Sequence, residues 1–73
     1  MPRQTQKTYS DSTNVKKIFY SYEQKIMQVT FTSGATYQYF DVPERTWEAA
    51  VNASSIGGFI NTNIKGKFKY SKV

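Results

Sequence analysis

Apolar and polar residues alternate with a period of two through the first half of the chain, the pattern of strands with one buried face. Residues 15–22 place Ile18, Tyr20 and Tyr22 on one side and Lys17, Phe19 and Ser21 on the other. After the polar turn Glu23-Gln24-Lys25, residues 26–32 alternate most clearly. Met27, Val29 and Phe31 oppose Ile26, Gln28, Thr30 and Thr32. Ser33-Gly34 predicts a two-residue hairpin turn, because glycine tolerates the positive φ such turns require. Residues 35–40 then set Tyr37 and Tyr39 against Thr36, Gln38 and Phe40. The expected sheet is a three-stranded antiparallel meander.

The period changes after Asp41. Pro43 suits a first helical turn, where its missing N–H would have had no partner. Asp41 and Glu44 put negative charge at the positive end of the helix dipole. Trp47, Ala50 and Val51, at i, i+3 and i+4, give one apolar stripe that runs to about Ala53. A second, shorter helix is expected over 55–61, capped by Ser54 or Ser55 and anchored by Phe59, Ile60 and Ile64. Gly57-Gly58 costs such a helix ~1 kcal/mol per glycine relative to alanine, so these glycines are read as permitting close packing. Residues 1–13 are polar and aperiodic and are expected to form a flexible arm. Residues 67–73 read as a basic, strand-like or frayed tail. The fold class is therefore α+β: a three-stranded meander covered on one face by a helix and a second short helix, in a single domain over 14–73. Ile18, Tyr20, Met27, Val29, Phe31, Tyr37 and Tyr39 should meet Trp47, Val51, Phe59 and Ile64. The opposite sheet face should stay open.

Composition narrows this further. Seventy-three residues with one Trp, five Phe and six Tyr, and neither Cys nor His, must build their core from aromatics. Disulfides are excluded, and a zinc site would have only carboxylates to use. So short a chain hides only about 60% of the surface it exposes when unfolded, and a homodimer would bury more. No apolar run approaches a membrane span, the N-terminus lacks a signal-peptide pattern, and Asn52-Ala53-Ser54 is read as a chance sequon. A cytoplasmic location is expected, with no membrane partner and no cofactor. Ten Lys and Arg against five Asp and Glu give a net charge of +5, which attracts polyanions. Without His or Cys, five scattered carboxylates supply no general acid–base pair and no activated nucleophile. The chain is expected to bind, not to catalyse.

The order of these features resembles the KTSC domain, named for its place at the C-terminus of some lysyl-tRNA synthetases. The resemblance covers about residues 14–70. It is carried by Val15-x-x-Ile18-x-Tyr20, Met27-x-Val29-x-Phe31-x-Ser33-Gly34, Tyr37-Gln38-Tyr39 with Val42-Pro43, and Ser55-Ile56-Gly57-Gly58-Phe59-Ile60-Asn61 continuing through Ile64-Lys65-Gly66-Lys67-Phe68. It implies RNA binding, by association with the synthetase. Ile56 stands where the family often has a basic residue, which removes one phosphate contact, and Phe68 where it tends to have Tyr.

Two groups of residues are candidates for a nucleic-acid surface. Phe19 and Phe40, beside Lys17 and Gln38 on the open face, could form a stacking platform. Equally, Phe40 could pack under a loop, and Phe19 against the arm or a dimer mate. Lys65, Lys67 and Lys69 would fall in one row if their segment were extended, interleaved with Phe68 and Tyr70 and followed by Lys72, and would suit phosphates. Tyr37 and Tyr39 could also stack bases, but their alternation with Val29 and Phe31 reads first as core, with the hydroxyls reaching its edge. The run Ser54-Ser55-Ile56-Gly57-Gly58 is read as a cap, not an anion cradle, and Asn61 and Asn63 as helix-end residues. The leading expectation is a nucleic-acid-binding module, for RNA or single strands ahead of duplex DNA. The alternatives are a protein–protein interaction module (a phage or bacterial accessory protein) and an oligomer that binds a small anionic ligand.

Overall fold

The alternating segments do become strands, but the sheet extends past both of its predicted edges. A computed structural model describes residues 4–10 and 14–73. Five antiparallel strands lie in chain order: β1 (Gln4–Thr8), β2 (Val15–Ser21), β3 (Ile26–Phe31), β4 (Thr36–Tyr39) and β5 (Tyr70–Lys72). Between β4 and β5 come α1 (Glu44–Val51) and α2 (Ile56–Phe59), the latter running on into a π-helical turn, Ile60–Ile64. The helices cover one face only, as the α+β reading requires.

Both strands beyond the expected three are edges, β1 in the expected arm and β5 in the tail read as strand-like or frayed. Gln4–Thr8, expected to belong to the flexible arm, pairs in full register with β2, from Gln4 opposite Ser21 to Thr8 opposite Lys17. A main-chain ladder needs no apolar alternation, so no sequence pattern announces this strand. Lys7 adds a tie, its Nζ donating to the Val51 carbonyl at 2.8 Å. That places a cation on the negative end of α1. Residues 1–3 and 11–13 of the expected arm lie outside the described residues. The expected basic tail is likewise replaced. Residues 65–67 turn, and Tyr70–Lys72 returns beside β4.

Local chemistry accounts for the smaller departures. Val15 and Ile18 are both fully buried though three positions apart. A bulge between Val15 and Lys17 resets the pleat so that both face the core. The β3–β4 loop has three residues, not two. The Gly34 N–H bonds the Phe31 carbonyl, the Phe31 N–H bonds Ala35, and Gly34 takes φ +95°, a turn closed by a left-handed glycine. Asp41 also takes a positive φ, 58°, which aspartate tolerates better than most side chains. Pro43 caps α1 from outside, its carbonyl accepting from Thr46 and Trp47. At α2 the capping residue is Ser55, whose Oγ accepts the Gly58 N–H at 3.2 Å.

The core joins sheet to helices through Tyr20. Its ring is fully buried and stacks on Trp47 at 5.4 Å with 12° between the planes. Tyr22 meets it edge-on at 5.0 Å. Its hydroxyl donates to the buried Val42 carbonyl at 2.5 Å, which fixes the chain where it leaves the sheet for α1. Val15, Ile18, Met27, Val29, Ala50, Ile56, Ile60 and Ile64 fill the space around this pair. Among the described residues no helix is long and apolar enough to cross a membrane.

Tyr20→Phe is expected to cost about 1–3 kcal/mol, because a buried carbonyl loses its donor. Urea unfolding should show a lower midpoint at unchanged slope. Burial first, then Glu44 and Tyr22, raises the Tyr20 phenol above its ordinary value of 10.0. The folded state then holds that proton more tightly than the unfolded chain does. The contribution is fully present below pH 10 and is lost as pH rises through the raised value. Stability should therefore fall less steeply at alkaline pH in Tyr20→Phe than in the parent; equal slopes would contradict this.

Candidate functional site

The two groups of predicted site residues lie on opposite faces of the sheet. Strand alternation carries Lys17, Phe19 and Gln38 onto the open face, with Phe40 just beyond the end of β4 on the same side. All four are half-buried. Neighbouring rows run across this face, Gln6–Phe19–Gln28–Gln38–Ser71 and Thr8–Lys17–Thr30–Thr36. Their polar groups bond one another: Gln38 Nε2 donates to Gln28 Oε1 at 3.2 Å, and Thr36 Oγ1 to Thr30 Oγ1 at 3.4 Å. Phe19 therefore stands beside β1, where an arm contact was one expectation. Lys17 and, at the bulge beside it, the exposed Lys16 are the charged residues of β2. The amides of this face are already bonded to one another.

Lys65 and Tyr70 belong to the other face. The expected row of Lys65, Lys67 and Lys69 does not form, because the chain is not extended there. The Lys65 N–H closes the π turn on the Ile60 carbonyl at 2.8 Å, and that of Lys67 bonds Ile64 at 3.1 Å. Gly66 then reverses the chain at φ +78°. Lys67 and Lys69 flank Phe68 and Tyr70 around a shallow depression of about 540 Å³. The turn swings Lys65 back over the sheet, and its Nζ lies 5.2 Å from the centre of the Phe31 ring. π-helical turns of this kind often occur where a side chain must be aimed.

Lys65 stands at the junction of two pockets. One, of about 390 Å³, has Phe31 and Tyr37 as an aromatic wall and Asn14, Thr32, Ser33 and Asn61 as a polar lip, with Gly57 and Ala35 filling the remainder. The other, of about 370 Å³, is formed by Tyr37, Tyr39, Tyr70 and Gly66. Lys65 and Tyr37 line both. The rings form a connected strip: Phe31 meets Tyr37 edge-on at 5.7 Å, Tyr37 meets Tyr70 edge-on at 5.7 Å, and Tyr39 lies tilted 5.9 Å from Tyr70. Tyr70 is 61% exposed, so the strip opens to solvent. Burial raises the Tyr39 phenol above its ordinary value, with Tyr37 and Tyr70 adding; it stays a hydrogen-bond donor at neutral pH. Among the described residues neither pocket has a carboxylate lining. Nor does any group of three His, Cys, Asp or Glu among them stand ready to hold a metal. Cation, aromatic faces and side-chain amides without a nearby negative charge make a surface for planar, anionic ligands.

Sequence reading missed most of this wall. Tyr37 was read first as core, with base stacking as the alternative, and Asn61 first as a helix-end residue, while Asn14, Phe31, Thr32 and Ser33 come from distant segments. The one local signal was Gly57. A Cβ there would stand 3.3 Å from Asn14 Nδ2, so the glycine does permit a close approach, at the edge of the first pocket.

The KTSC domain family model matches residues 11–68. A KTSC domain protein of Yersinia pestis, known from its crystal structure, superposes with a TM-score of 0.89 at 32% identity, covering 97% of this chain and 99% of its own. A protein of Tsukamurella paurometabola is 32% identical over 59 residues, 81% of this chain and 88% of its own. A lysine–tRNA ligase of Nostoc punctiforme is 46% identical over 56 residues, which are 74% of this chain and 10% of the ligase. The chain thus spans about a tenth of the ligases it matches. These matches indicate a small domain and no catalytic family.

Gly57→Ala is expected to leave the unfolding free energy from urea titration within about 1 kcal/mol of the parent, since the helix gains roughly what the displaced Asn14 loses. The Asn14 side-chain amide resonances should move. If they do not, Gly57 and Asn14 do not share this wall.

Proposed function

The chain belongs to the KTSC domain family, and from that premise we propose that it is a non-catalytic module that binds nucleic acid, single-stranded RNA ahead of duplex DNA. The observation that carries this reading is the Lys65 ammonium over Phe31, between two pockets walled by Tyr37, Tyr39 and Tyr70. Unstacked bases lie well on aromatic faces, at ~1–3 kcal/mol each, and an adjacent lysine neutralises a phosphate. Lys67, Lys69 and Lys72 extend the positive field along the same edge. Duplex readout is disfavoured because α1, the one helix of eight residues among those described, turns Trp47 and Ala50 into the core and exposes Glu44 and Glu48, carboxylates that repel a phosphate backbone, on its free face.

The relatives support this reading in two ways. Lysine–tRNA ligases act, by name, with an RNA, and they contain a segment like this one. The Yersinia and Tsukamurella proteins consist almost wholly of it, which suits a domain whose binding capacity is its own. A second reading rests on the open face, where Phe19, Ile26 and Phe40 are half-buried. That composition suits a protein partner better than a phosphate backbone.

Anisotropy titrations with a labelled single-stranded RNA at two salt concentrations test the main reading. Affinity should fall as salt rises, and Lys65→Ala should weaken binding and reduce the log–log salt slope by about 0.7. Lys17→Ala should leave both nearly unchanged. Affinity indifferent to salt, or no binding at low salt, would overturn the proposal. A lysate partner retained after nuclease treatment and lost on Phe19→Ser would favour the open-face reading.

A further inference from the structure

We infer that the two pockets form one dinucleotide subsite, in which the phosphodiester sits on Lys65, one base is read by hydrogen bonds and the neighbouring base is only stacked. The inference rests on the nucleic-acid reading above and assigns the ligand unit and the role of each wall.

The sharing of residues carries the argument. Tyr37 and Lys65 line both pockets, so a ligand occupying the two together must pass its connecting group across that pair. Each pocket, at about 390 and 370 Å³, is near the small end of the range for ligand sites of roughly 300–1,000 Å³, a size for one nucleotide and not for two. Between successive nucleosides the connecting group is one phosphodiester with one negative charge. The ammonium at the junction is the matching charge, held in place by the Phe31 ring beneath it.

The two walls differ in chemistry, so they should differ in selectivity. The pocket beside Gly57 presents the Asn61 amide together with the hydroxyls of Thr32 and Ser33. An amide offers both donor and acceptor to a base edge, and such pairing discriminates between bases. The pocket beside Gly66 is built from Tyr37, Tyr39 and Tyr70. Every base has a π face, so rings alone discriminate weakly. One position of the dinucleotide should be specified and the other left free.

The test uses the full chain and the sixteen dinucleoside monophosphates, which carry only the bridging phosphate, titrated by NMR with mononucleosides as controls. Dinucleotides are expected to bind at least tenfold more tightly than either nucleoside. Changing the base at one position should alter affinity about tenfold or more, and at the other less than about threefold. Lys65→Ala should remove the advantage over nucleosides, Asn61→Ala should flatten the base preference, and Tyr70→Ala should weaken all sixteen alike. All three changed side chains, Asn61, Lys65 and Tyr70, are exposed, and unchanged thermal unfolding would show that the variants fold. Dinucleotides no tighter than nucleosides, or equal discrimination at both positions, would overturn the inference. If a longer single-stranded RNA still bound through Lys65, the nucleic-acid reading would survive that failure. If no RNA bound, both would fall.

Discussion

Tyr20 joins the two layers of this domain, and the position of everything else follows from where it stands. It projects from the second strand of five, stacks on Trp47 and donates to the Val42 carbonyl. One side chain thereby sets both the place where the chain leaves the sheet and the place where α1 lands. Because the anchor is in β2, the helical layer is centred towards that side. α1 has eight residues, and α2 with its π turn has four and five, too few to roof five strands. What remains only partly covered is the β4–β5 flank, where half-buried Phe31 and Tyr37 and buried Tyr39 form a strip that ends in solvent at Tyr70. The groove is thus a consequence of a small chain covering a wide sheet from one side.

The same geometry underlies the choice, for the proposed binding face, of a side other than the one that period-two alternation suggests. The open face has five strands, but its amides and hydroxyls bond each other. On the helical side, the π turn and Gly66 bring a lysine from the end of the helical layer onto an aromatic ring. A charge held over a ring, next to further rings, offers electrostatics and stacking in one place. That combination suits a nucleotide.

Much of the central fold was legible in the sequence, for definable reasons. The alternation at Ile18, Tyr20, Met27, Val29, Tyr37 and Tyr39 identified three strands and their inner face, and Trp47 with Ala50 identified the helix that covers them. Of the edge strands, Gln4–Thr8 was not legible and Tyr70–Lys72 only as a strand-like or frayed tail. Gln4–Thr8 and Tyr70–Lys72 are held by main-chain bonds, which leave no trace in side-chain pattern. The site was legible only in fragments. Lys65 and Tyr70 were chosen as members of a row, yet they act through a turn that breaks it. Phe31 and Tyr37 were assigned to the core, whereas they are half-buried and face both core and groove. Asn14 and Asn61, 47 positions apart by number, share a wall only through tertiary packing. No local spacing encodes that meeting.

The central claim is that ligand enters on the helical side of the β4–β5 flank and not on the open face. A chemical-shift map with a short single-stranded RNA tests it most directly, because it reports binding and location together. The account predicts perturbed resonances at Phe31, Tyr37, Asn61, Lys65 and Tyr70, with Phe19, Gln28 and Gln38 nearly still. Perturbation centred on Phe19, Gln28 and Gln38, with Lys65 unmoved, would contradict it.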